Sequence, residues 1–145
     1  MIIRAWEKSD NERVEQLEKS CFISPWSREM LDSQFMLNNF YGLVCVDEGE
    51  VVGYVGSIFN EWEGEILNVA VCQRARRRGI ARALIGEIVG FMKKGGKESL
   101  FLEVRVSNVI AKSLYSSLGF VPVGVRKKYY ENTEDAIVMK KDLRE

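Results

Sequence analysis

Apolar and polar positions alternate along this chain with two periods, one typical of strands and one typical of helices. Runs rich in β-branched and aromatic residues predict strands, and apolar residues spaced by three and four predict amphipathic helices. Asp47-Glu48-Gly49-Glu50 is a turn signal of hairpin length, so the second, third and fourth strands should form an antiparallel meander. The predicted strands span residues 2–6, 41–46, 51–59, 65–71, 100–106, 120–125 and 136–139.

Four segments between these strands show helical spacing and are bounded by ordinary capping and stop residues. In the third, Ile80, Leu84, Ile88 and Phe91 share one face. The predicted caps or first residues are Ser9-Asp10, Ser27, Ile80 and Ser107-Asn108, and the last three helices should end near Asn38-Asn39, Lys93-Lys94-Gly95-Gly96 and Gly119.

Residues 65–106 form a strand, helix and strand unit, which predicts a right-handed crossover. That connection makes the strands at 65–71 and 100–106 parallel neighbours, whereas the other strand pairs are expected to be antiparallel. We therefore expect an α/β fold with a mixed, mostly antiparallel sheet and with helices on both of its faces. At 145 residues the chain fits one domain, residues 1–145.

Charge and composition exclude several classes of function. The 21 basic and 21 acidic residues balance, so any anion binding must be local, and a dedicated nucleic-acid binder is disfavoured. The chain contains no histidine, which removes the commonest general base and most zinc sites, and no metal is expected. Cys21, Cys45 and Cys72 lack paired spacing, which favours buried free thiols in a reducing compartment. Without a signal peptide or about 20 consecutive apolar residues, we expect a cytoplasmic protein with no membrane partner.

An arginine-rich glycine turn follows the strand at 65–71 and opens the third helix. A helix N-terminus leaves backbone N–H groups without partners and carries partial positive charge. A glycine that lets the backbone close on a pyrophosphate, beside guanidinium groups, makes an anion site, so a diphosphate-bearing cofactor is predicted here. Alternatively, the five arginines at positions 74–82 form a solvated turn or a nucleic-acid patch. The turn comprises Arg76, Arg77, Arg78, Gly79, Ile80, Ala81 and Arg82.

Two further residues are candidates for acid–base chemistry. Parallel strands that separate at their C-terminal ends would open a crevice beside the third helix, where ligands of α/β sheets bind. Glu103 stands in the otherwise apolar strand at 100–106, and Tyr115 follows Asn108 by seven residues, about two turns along one helix face. A salt bridge to Arg105 or another cation is the alternative role for Glu103. For Tyr115, the alternative is a packed core aromatic whose hydroxyl is bonded elsewhere.

A set of motifs spans nearly the whole chain. These motifs are Phe22-x-x-Pro25-Trp26-Ser27, Asn68-Val69-Ala70-Val71, Arg76-x-x-Gly79-x-Ala81, Leu102-Glu103-Val104-Arg105-x-Ser107-Asn108-x-x-Ala111-x-x-Leu114-Tyr115-x-x-Leu118-Gly119-Phe120, Arg126-x-x-Tyr129-Tyr130 and Glu134-Asp135-Ala136-Ile137-Val138-Met139. Together with the order of the elements, they resemble the GCN5-related N-acetyltransferases (GNAT), and more narrowly the RimI-type ribosomal-protein-alanine N-acetyltransferases. The chain departs from the family at Cys72-Gln73, where members often carry Asp-Pro, and at Ala81, which replaces a glycine.

The resemblance implies how the acetyl donor, acetyl-CoA, would bind. Its pyrophosphate would lie on the backbone amides of residues 77–82. Its pantetheine arm would run beside Val69, Ala70 and Val71 and borrow backbone hydrogen bonds as a pseudo-strand. Asn108 would bind the same molecule from the neighbouring helix.

The resemblance also implies a direct transfer in a ternary complex. Glu103, through water, would accept the proton of an incoming α-amine, and Tyr115 would protonate the departing CoA thiolate. The family's usual acceptor is the N-terminal alanine of a small-subunit ribosomal protein, held between the loops at 22–27 and 126–133. Alternatives are other protein N-termini, a lysine side chain or a small amine. A non-catalytic CoA- or nucleic-acid-binding module is also considered, although such a binder needs neither Glu103 nor Tyr115.

Overall fold

The computed structural model describes residues 1–131 and 133–144, which form an α/β fold with seven strands and four α-helices. Single 3-10 turns at Lys8–Asp10 and Gln73–Ala75 precede the first and third helices. The strands are β1 (Ile2–Ala5), β2 (Phe40–Asp47), β3 (Glu50–Phe59), β4 (Glu63–Val71), β5 (Ser99–Arg105), β6 (Val121–Tyr130) and β7 (Glu134–Asp142). The helices are α1 (Asn11–Cys21), α2 (Arg28–Gln34), α3 (Ile80–Lys94) and α4 (Val109–Ser117).

The strands lie in one sheet in the order β1-β2-β3-β4-β5-β7-β6. Neighbouring strands are antiparallel except for β4 and β5, which are parallel. Glu48 and Gly49 form the tight turn between β2 and β3 with φ angles of +53° and +78°. The expected meander and the expected parallel pair are both confirmed.

Helices cover both faces of the sheet, as expected. The hydroxyl of Tyr54 in β3 donates a hydrogen bond to Glu18 in α1. At the adjacent position in the same strand, a Cβ on Gly53 would lie 3.2 Å from the Cγ2 of Ile80 in α3. Because consecutive residues of a strand point to opposite faces, α1 and α3 must pack on opposite sides.

The parallel strands β4 and β5 separate soon after they begin. Their paired register covers three steps and ends at Glu65 and Phe101. On the other side of β4, the register with β3 shifts, so that Gly56 pairs with Asn68 and Ser57 pairs with Ile66, and Leu67 is an extra residue. A bulge of this kind bends the strand that carries it, and the bend lies where β4 leaves β5.

Several predicted strand boundaries differ from the observed ones by one to three residues, and three further predictions differ in kind. The segment at 126–133 was predicted to be a loop, but β6 continues to Tyr130, and position 132 lies outside the described residues. Every residue of β6 before Tyr130 is exposed, so the strand lacks the alternation of burial that marks a half-buried strand. The helix predicted to end near Asn38-Asn39 ends at Gln34, because the following backbone N–H groups bond to carbonyls three residues back. Asp10 occupies the N-cap position of α1 as predicted, but its side chain accepts a hydrogen bond from the backbone N–H of Glu7, before the 3-10 turn, and makes no cap hydrogen bond to α1.

Within residues 1–131 and 133–144, no helix has the length and apolar character needed to cross a membrane. The same part of the chain contains no cluster of three or more His, Cys, Asp or Glu side chains that could hold a metal ion.

Candidate active site

The gap between β4 and β5 opens a cavity of about 460 Å³. Four of the predicted site residues line it, namely Val69, Glu103, Asn108 and Tyr115. Ala70, Val71 and the arginine turn at 76–82 lie outside this lining. The cavity therefore brings together both acid–base candidates, and the predicted phosphate site lies beyond it at the start of α3.

Glu103 and Tyr115 enter this cavity from opposite faces of the sheet. A Cβ on Gly64 would contact both Met92 of α3 and Leu100 of β5, so Leu100 faces α3. Glu103 is three residues further along β5 and therefore points to the opposite face. Tyr115 belongs to α4, which lies beside α3, because Arg82 of α3 donates to the Ser117 hydroxyl at 2.8 Å.

The Glu103 carboxylate has one paired oxygen and one free oxygen. Its Oε1 accepts a hydrogen bond from Arg126 Nη1 at 2.8 Å, and the Arg126 guanidinium stacks over the Tyr129 ring at 4.1 Å. Its Oε2 is buried and has no hydrogen-bond partner among the described residues. The salt bridge considered for Glu103 therefore exists, but with Arg126, since Arg105 pairs with Glu131 instead. A buried carboxylate oxygen without a partner is available to accept a proton or a water hydrogen bond.

Tyr115 is a buried tyrosine that lines the cavity. Its ring meets Phe120 edge to face with centroids 6.1 Å apart, and 8% of the residue is exposed. Burial raises the pKa of Tyr115 to about 12, so its hydroxyl keeps its proton at neutral pH and can act as a donor. In the described part of the chain no group bonds this hydroxyl. The alternative of a core aromatic with a bonded hydroxyl is therefore not supported.

Asn108 has a structural function in addition to lining the cavity. It is the N-cap of α4, and its Oδ1 accepts a hydrogen bond from the backbone N–H of Ala111 at 3.1 Å. The cap orients the amide so that only its Nδ2 group is left to donate to a ligand.

The turn before α3 has the backbone geometry of an anion site. Gly79 is the N-cap with φ +76°, and Arg77 also has a positive φ, +67°. No side chain caps the helix, so the first-turn N–H groups lack the bonds that a Ser or Asp cap would provide. Ile80 is buried against the sheet and can contribute only its backbone.

Fewer of the guanidinium groups around this turn are available to bind an anion than the sequence suggests. Arg78 is paired with a carboxylate, as is Arg74, and these two charges are largely compensated. Arg77 has no partner among the described residues, and Arg76 and Arg82 bond to neutral groups. The contacts are Arg74 to Glu50 at 2.8 Å, Arg76 to the Val71 carbonyl at 3.0 Å, Arg78 to Asp47 at 2.9 Å and Arg82 to the Ser117 hydroxyl at 2.8 Å.

The backbone of β4 differs from the expectation at one residue. The N–H of Cys72 donates to the Val52 carbonyl of β3 at 2.7 Å. Because backbone groups of an antiparallel pair alternate in direction, Ala70 also points its N–H and C=O toward β3. Val69 and Val71 point theirs toward the open side, where the Val71 carbonyl already accepts from Arg76. The groups available to a ligand are therefore the N–H and C=O of Val69 and the N–H of Val71, and not those of Ala70.

The two predicted acceptor walls meet at one end of the cavity. Ser24, between α1 and α2, donates its hydroxyl to Glu131 Oε2 at 2.8 Å. Arg105 of β5 bonds to Glu131 Oε1 at 2.6 Å, and its guanidinium stacks over the Tyr130 ring at 4.2 Å. This Ser24–Glu131–Arg105 link joins the segment at 22–27 to the turn after β6.

Glu18 is a cavity residue that the sequence analysis missed. It is 1% exposed and accepts hydrogen bonds from the Trp26 N–H at 2.7 Å, from Asn68 Nδ2 at 3.3 Å and from the Tyr54 hydroxyl. Burial, and then the Glu18 charge, raise the pKa of Tyr54 well above its usual range. The available signal was a carboxylate four residues after Val14, on the apolar face of α1.

The three cysteines are free, but only two are buried as expected. Cys45 and Cys72 are buried, whereas Cys21 is partly exposed and lines the cavity. The Cys21 thiol lies 3.6 Å from Arg76 Nη2 and 3.9 Å from the Val71 carbonyl. Cys72 does not line the cavity.

Comparison with known proteins gives concordant results. The model of the acetyltransferase (GNAT) family matches residues 11–120. The [ribosomal protein bS18]-alanine N-acetyltransferase of Escherichia coli K12 is 31% identical over 140 residues, covering 94% of both chains. The protein of the same description from Haemophilus influenzae is 30% identical over 142 residues, covering 95% of this chain and 96% of the relative. The crystal structure of the ribosomal-protein-S18-alanine N-acetyltransferase from Escherichia coli superposes with a TM-score of 0.92 at 28% identity, covering 99% of this chain and 94% of that one.

Proposed function

The chain belongs to the acetyltransferase (GNAT) family, and on that premise we propose that it transfers the acetyl group of acetyl-CoA to the α-amine of a protein N-terminus. The acceptor we favour is the N-terminal alanine of a small-subunit ribosomal protein. Two relatives that match nearly the whole chain are described as enzymes acting on ribosomal protein bS18. The fold of the Escherichia coli enzyme extends over 99% of this chain.

The observation that carries the proposal is the placement of Glu103 and Tyr115 in one cavity. The free Glu103 Oε2 can take a proton from one face of the sheet, and the Tyr115 hydroxyl can donate from the other. A pure binding module would need neither group. The two positions suit a transfer in which the acceptor amine and the donor thioester meet between the strands.

The proposed chemistry is a direct attack. Acetyl-CoA supplies an activated acetyl thioester. Glu103 accepts the proton of the attacking α-amine, through water, as the new C–N bond forms. Tyr115 donates to the sulfur as the C–S bond breaks. The products are the N-acetylated protein and the CoA thiol. An unperturbed α-amine has a pKa of about 8, so only modest help with deprotonation is needed at neutral pH.

The residues around the gap fit acetyl-CoA as the donor. The uncapped N–H groups at the start of α3, including those of Ala81 and Arg82, suit the pyrophosphate. The outward backbone groups of Val69 and the outward N–H of Val71 suit the amides of the pantetheine arm. Asn108 can add its Nδ2 from the side of α4.

Intact-mass analysis tests the proposal. Two peptides are incubated with the protein and acetyl-CoA, one with a free N-terminal alanine and one with a blocked N-terminus and an internal lysine. We expect a gain of one acetyl group on the first peptide only, located at its α-amine by fragmentation. Preferential acetylation of the blocked peptide would reject the N-terminal acceptor and favour lysine.

A further inference from the structure

A second cavity, of about 340 Å³, adjoins the first on the face of the sheet toward which Glu103 points. Glu103 lines both cavities. The second cavity lies over the paired beginning of β4 and β5, and its walls include Phe101 together with Ile58 and Val138, which pair with Glu65 and Glu103 and therefore share their face. It is therefore a continuation of the acceptor side of the site, with apolar walls and carboxylates.

Glu65 is a partly buried carboxylate of this cavity that lacks a partner among the described residues, whereas Glu63, which also lacks one there, is exposed. The Glu65 side chain takes part in no ion pair or hydrogen bond in that part of the chain. Burial, and then the nearby Glu103 charge, raise the pKa of Glu65 above its usual value. A partly buried carboxylate without a cation is unfavourable unless a ligand supplies one.

The other charged groups around the cavity do not neutralise Glu65. Arg126 approaches it but makes its hydrogen bond to Glu103. Lys140 lies over the Phe101 ring at 5.9 Å from its centroid and makes no ion pair with Glu65. Lys97 lies over Phe59, whose ring contacts Phe91 of α3 on the other face of the sheet. Glu63 adds a further negative charge.

Glu65 lies at a distance from Glu103 that suits a side chain near the N-terminus of a bound acceptor polypeptide. Glu65 pairs with Phe101, two residues before Glu103 on the same face of β5. With strands about 4.8 Å apart and a rise of about 3.3 Å per residue, the two carboxylate-bearing positions are about 8 Å apart. The Ser24–Glu131 hydrogen bond joins the two segments expected to hold the acceptor. Since Glu103 lines both cavities, the residues that follow an amine placed at Glu103 can extend into the second cavity, past Glu65.

We propose that this second cavity, with Glu65 at its wall, binds the basic side chain of the second or third residue of the acceptor polypeptide. The inference rests on the proposed function and names its substrate class. An arginine or lysine suits the cavity because its methylene stem can pack on the Phe101 ring while its charge reaches the carboxylate.

The test compares acceptor peptides that begin with alanine and carry either arginine or glutamine at position 2 or 3. At low salt, kcat/KM for the arginine peptide should exceed that of its glutamine counterpart by about tenfold at one of these positions. Glu65→Gln should reduce the ratio to about twofold or less, and so should high salt. Glu87→Gln, on the exposed side of α3, makes the same change of charge on the opposite face and should keep the wild-type ratio.

A binding measurement separates this proposal from the proposed function. Calorimetric titration of the same peptides in the presence of CoA, which carries no acetyl group, reports the arginine preference without turnover. Loss of that preference in Glu65→Gln supports the cavity as a subsite even if no peptide is acetylated, and the acetyltransferase assignment alone then fails. An equal arginine preference in wild type and Glu65→Gln, or no preference in wild type, overturns the inference.

Discussion

Gly79→Glu is expected to abolish acetyl-CoA binding and to leave the fold intact. Gly79 has φ +76° at the start of α3, and a Cβ at this position would meet no atom within 4 Å. The substitution therefore introduces backbone strain but no clash, at about 1–2 kcal/mol. A carboxylate beside the helix N-terminus stabilises the unliganded protein by about 0.3–1 kcal/mol, which offsets part of this strain. We expect a net loss of unfolding free energy of about 1 kcal/mol, which a folded domain tolerates.

The effect on the ligand is much larger. The new carboxylate would lie beside the N–H groups proposed to hold the pyrophosphate. Two like charges about 5 Å apart repel by about 3 kcal/mol at an effective dielectric constant of about 20. This corresponds to a loss of affinity of more than about a hundredfold. Gly79→Ala makes a matched control, because it has the strain of a positive φ without the charge, and it should keep most of the affinity.

Calorimetric titration with acetyl-CoA measures the binding, and urea unfolding measures the stability of the same samples. The two variants should unfold within about 1 kcal/mol of each other and differ strongly in affinity. The difference should shrink at high salt, because the repulsion is partly exposed to solvent. Wild-type affinity in Gly79→Glu would show that the pyrophosphate does not bind at this turn. Equal losses in both variants would assign the effect to strain and not to charge.

Tyr115→Phe should lower turnover by about a hundredfold or more with little change in acetyl-CoA affinity, and unchanged turnover would leave Tyr115 as a core aromatic. Because burial raises the pKa of Tyr115 from 10.0 to about 12, the folded protein keeps a proton that the unfolded chain loses. Tyr115 should therefore contribute up to about 3 kcal/mol to a fall of the unfolding free energy from pH 10 to pH 12. Tyr115→Phe should make this fall smaller by that amount in pH-dependent urea titrations, while Tyr54 and Tyr130, whose pKa values are also raised, keep their contributions. Glu103→Gln should slow acetylation at neutral pH and regain part of the rate at higher pH, where the amine deprotonates without help; a parallel pH profile would argue against a base. Glu18→Gln puts an amide N–H₂ group among three hydrogen-bond donors, so it should lower the unfolding free energy by about 2 kcal/mol or more. It should also increase KM for the acceptor by a larger factor than KM for acetyl-CoA. An unchanged denaturation midpoint would contradict the hydrogen bonds described for Glu18.

The parts of the fold that local chemistry determines could be predicted from the sequence. The third helix was predicted from Ile80 to the cationic stop before Gly95, and α3 spans Ile80–Lys94. The spacing of its apolar face and its glycine boundaries are local signals that no other part of the chain overrides. The extension of β6 could not be read in this way. It is an edge strand that pairs only with β7, and its register is irregular between Arg126 and Tyr130, so neither burial nor spacing marks it in the sequence.

The predictable part of the candidate site was the set of single residues, and the unpredictable part was their partners. Glu103 was recognised because it interrupts an apolar strand, but its partner Arg126 follows it by 23 positions and belongs to a strand two places away in the sheet. Glu18 belongs to none of the sequence motifs, and its importance depends on the hydrogen bonds that Trp26 and Tyr54 donate to it in the folded structure. Such contacts depend on tertiary packing, which sequence spacing does not encode.

The bulge at Leu67 connects the two halves of the site. Before it, β4 is paired with β5, and Glu65 stands on a regular ladder that forms the floor of the second cavity. After it, the strands separate, and the backbone of Val69 is available to a ligand while the gap admits Glu103 and Tyr115 from opposite faces. One extra residue therefore divides β4 into a segment that carries the Glu65 charge, on the side proposed for the acceptor, and a segment with outward backbone groups, on the side proposed for the donor. Because a shift of one residue moves every side chain of a strand to the other face, the same bulge also fixes which side chains of β4 face the proposed acceptor side.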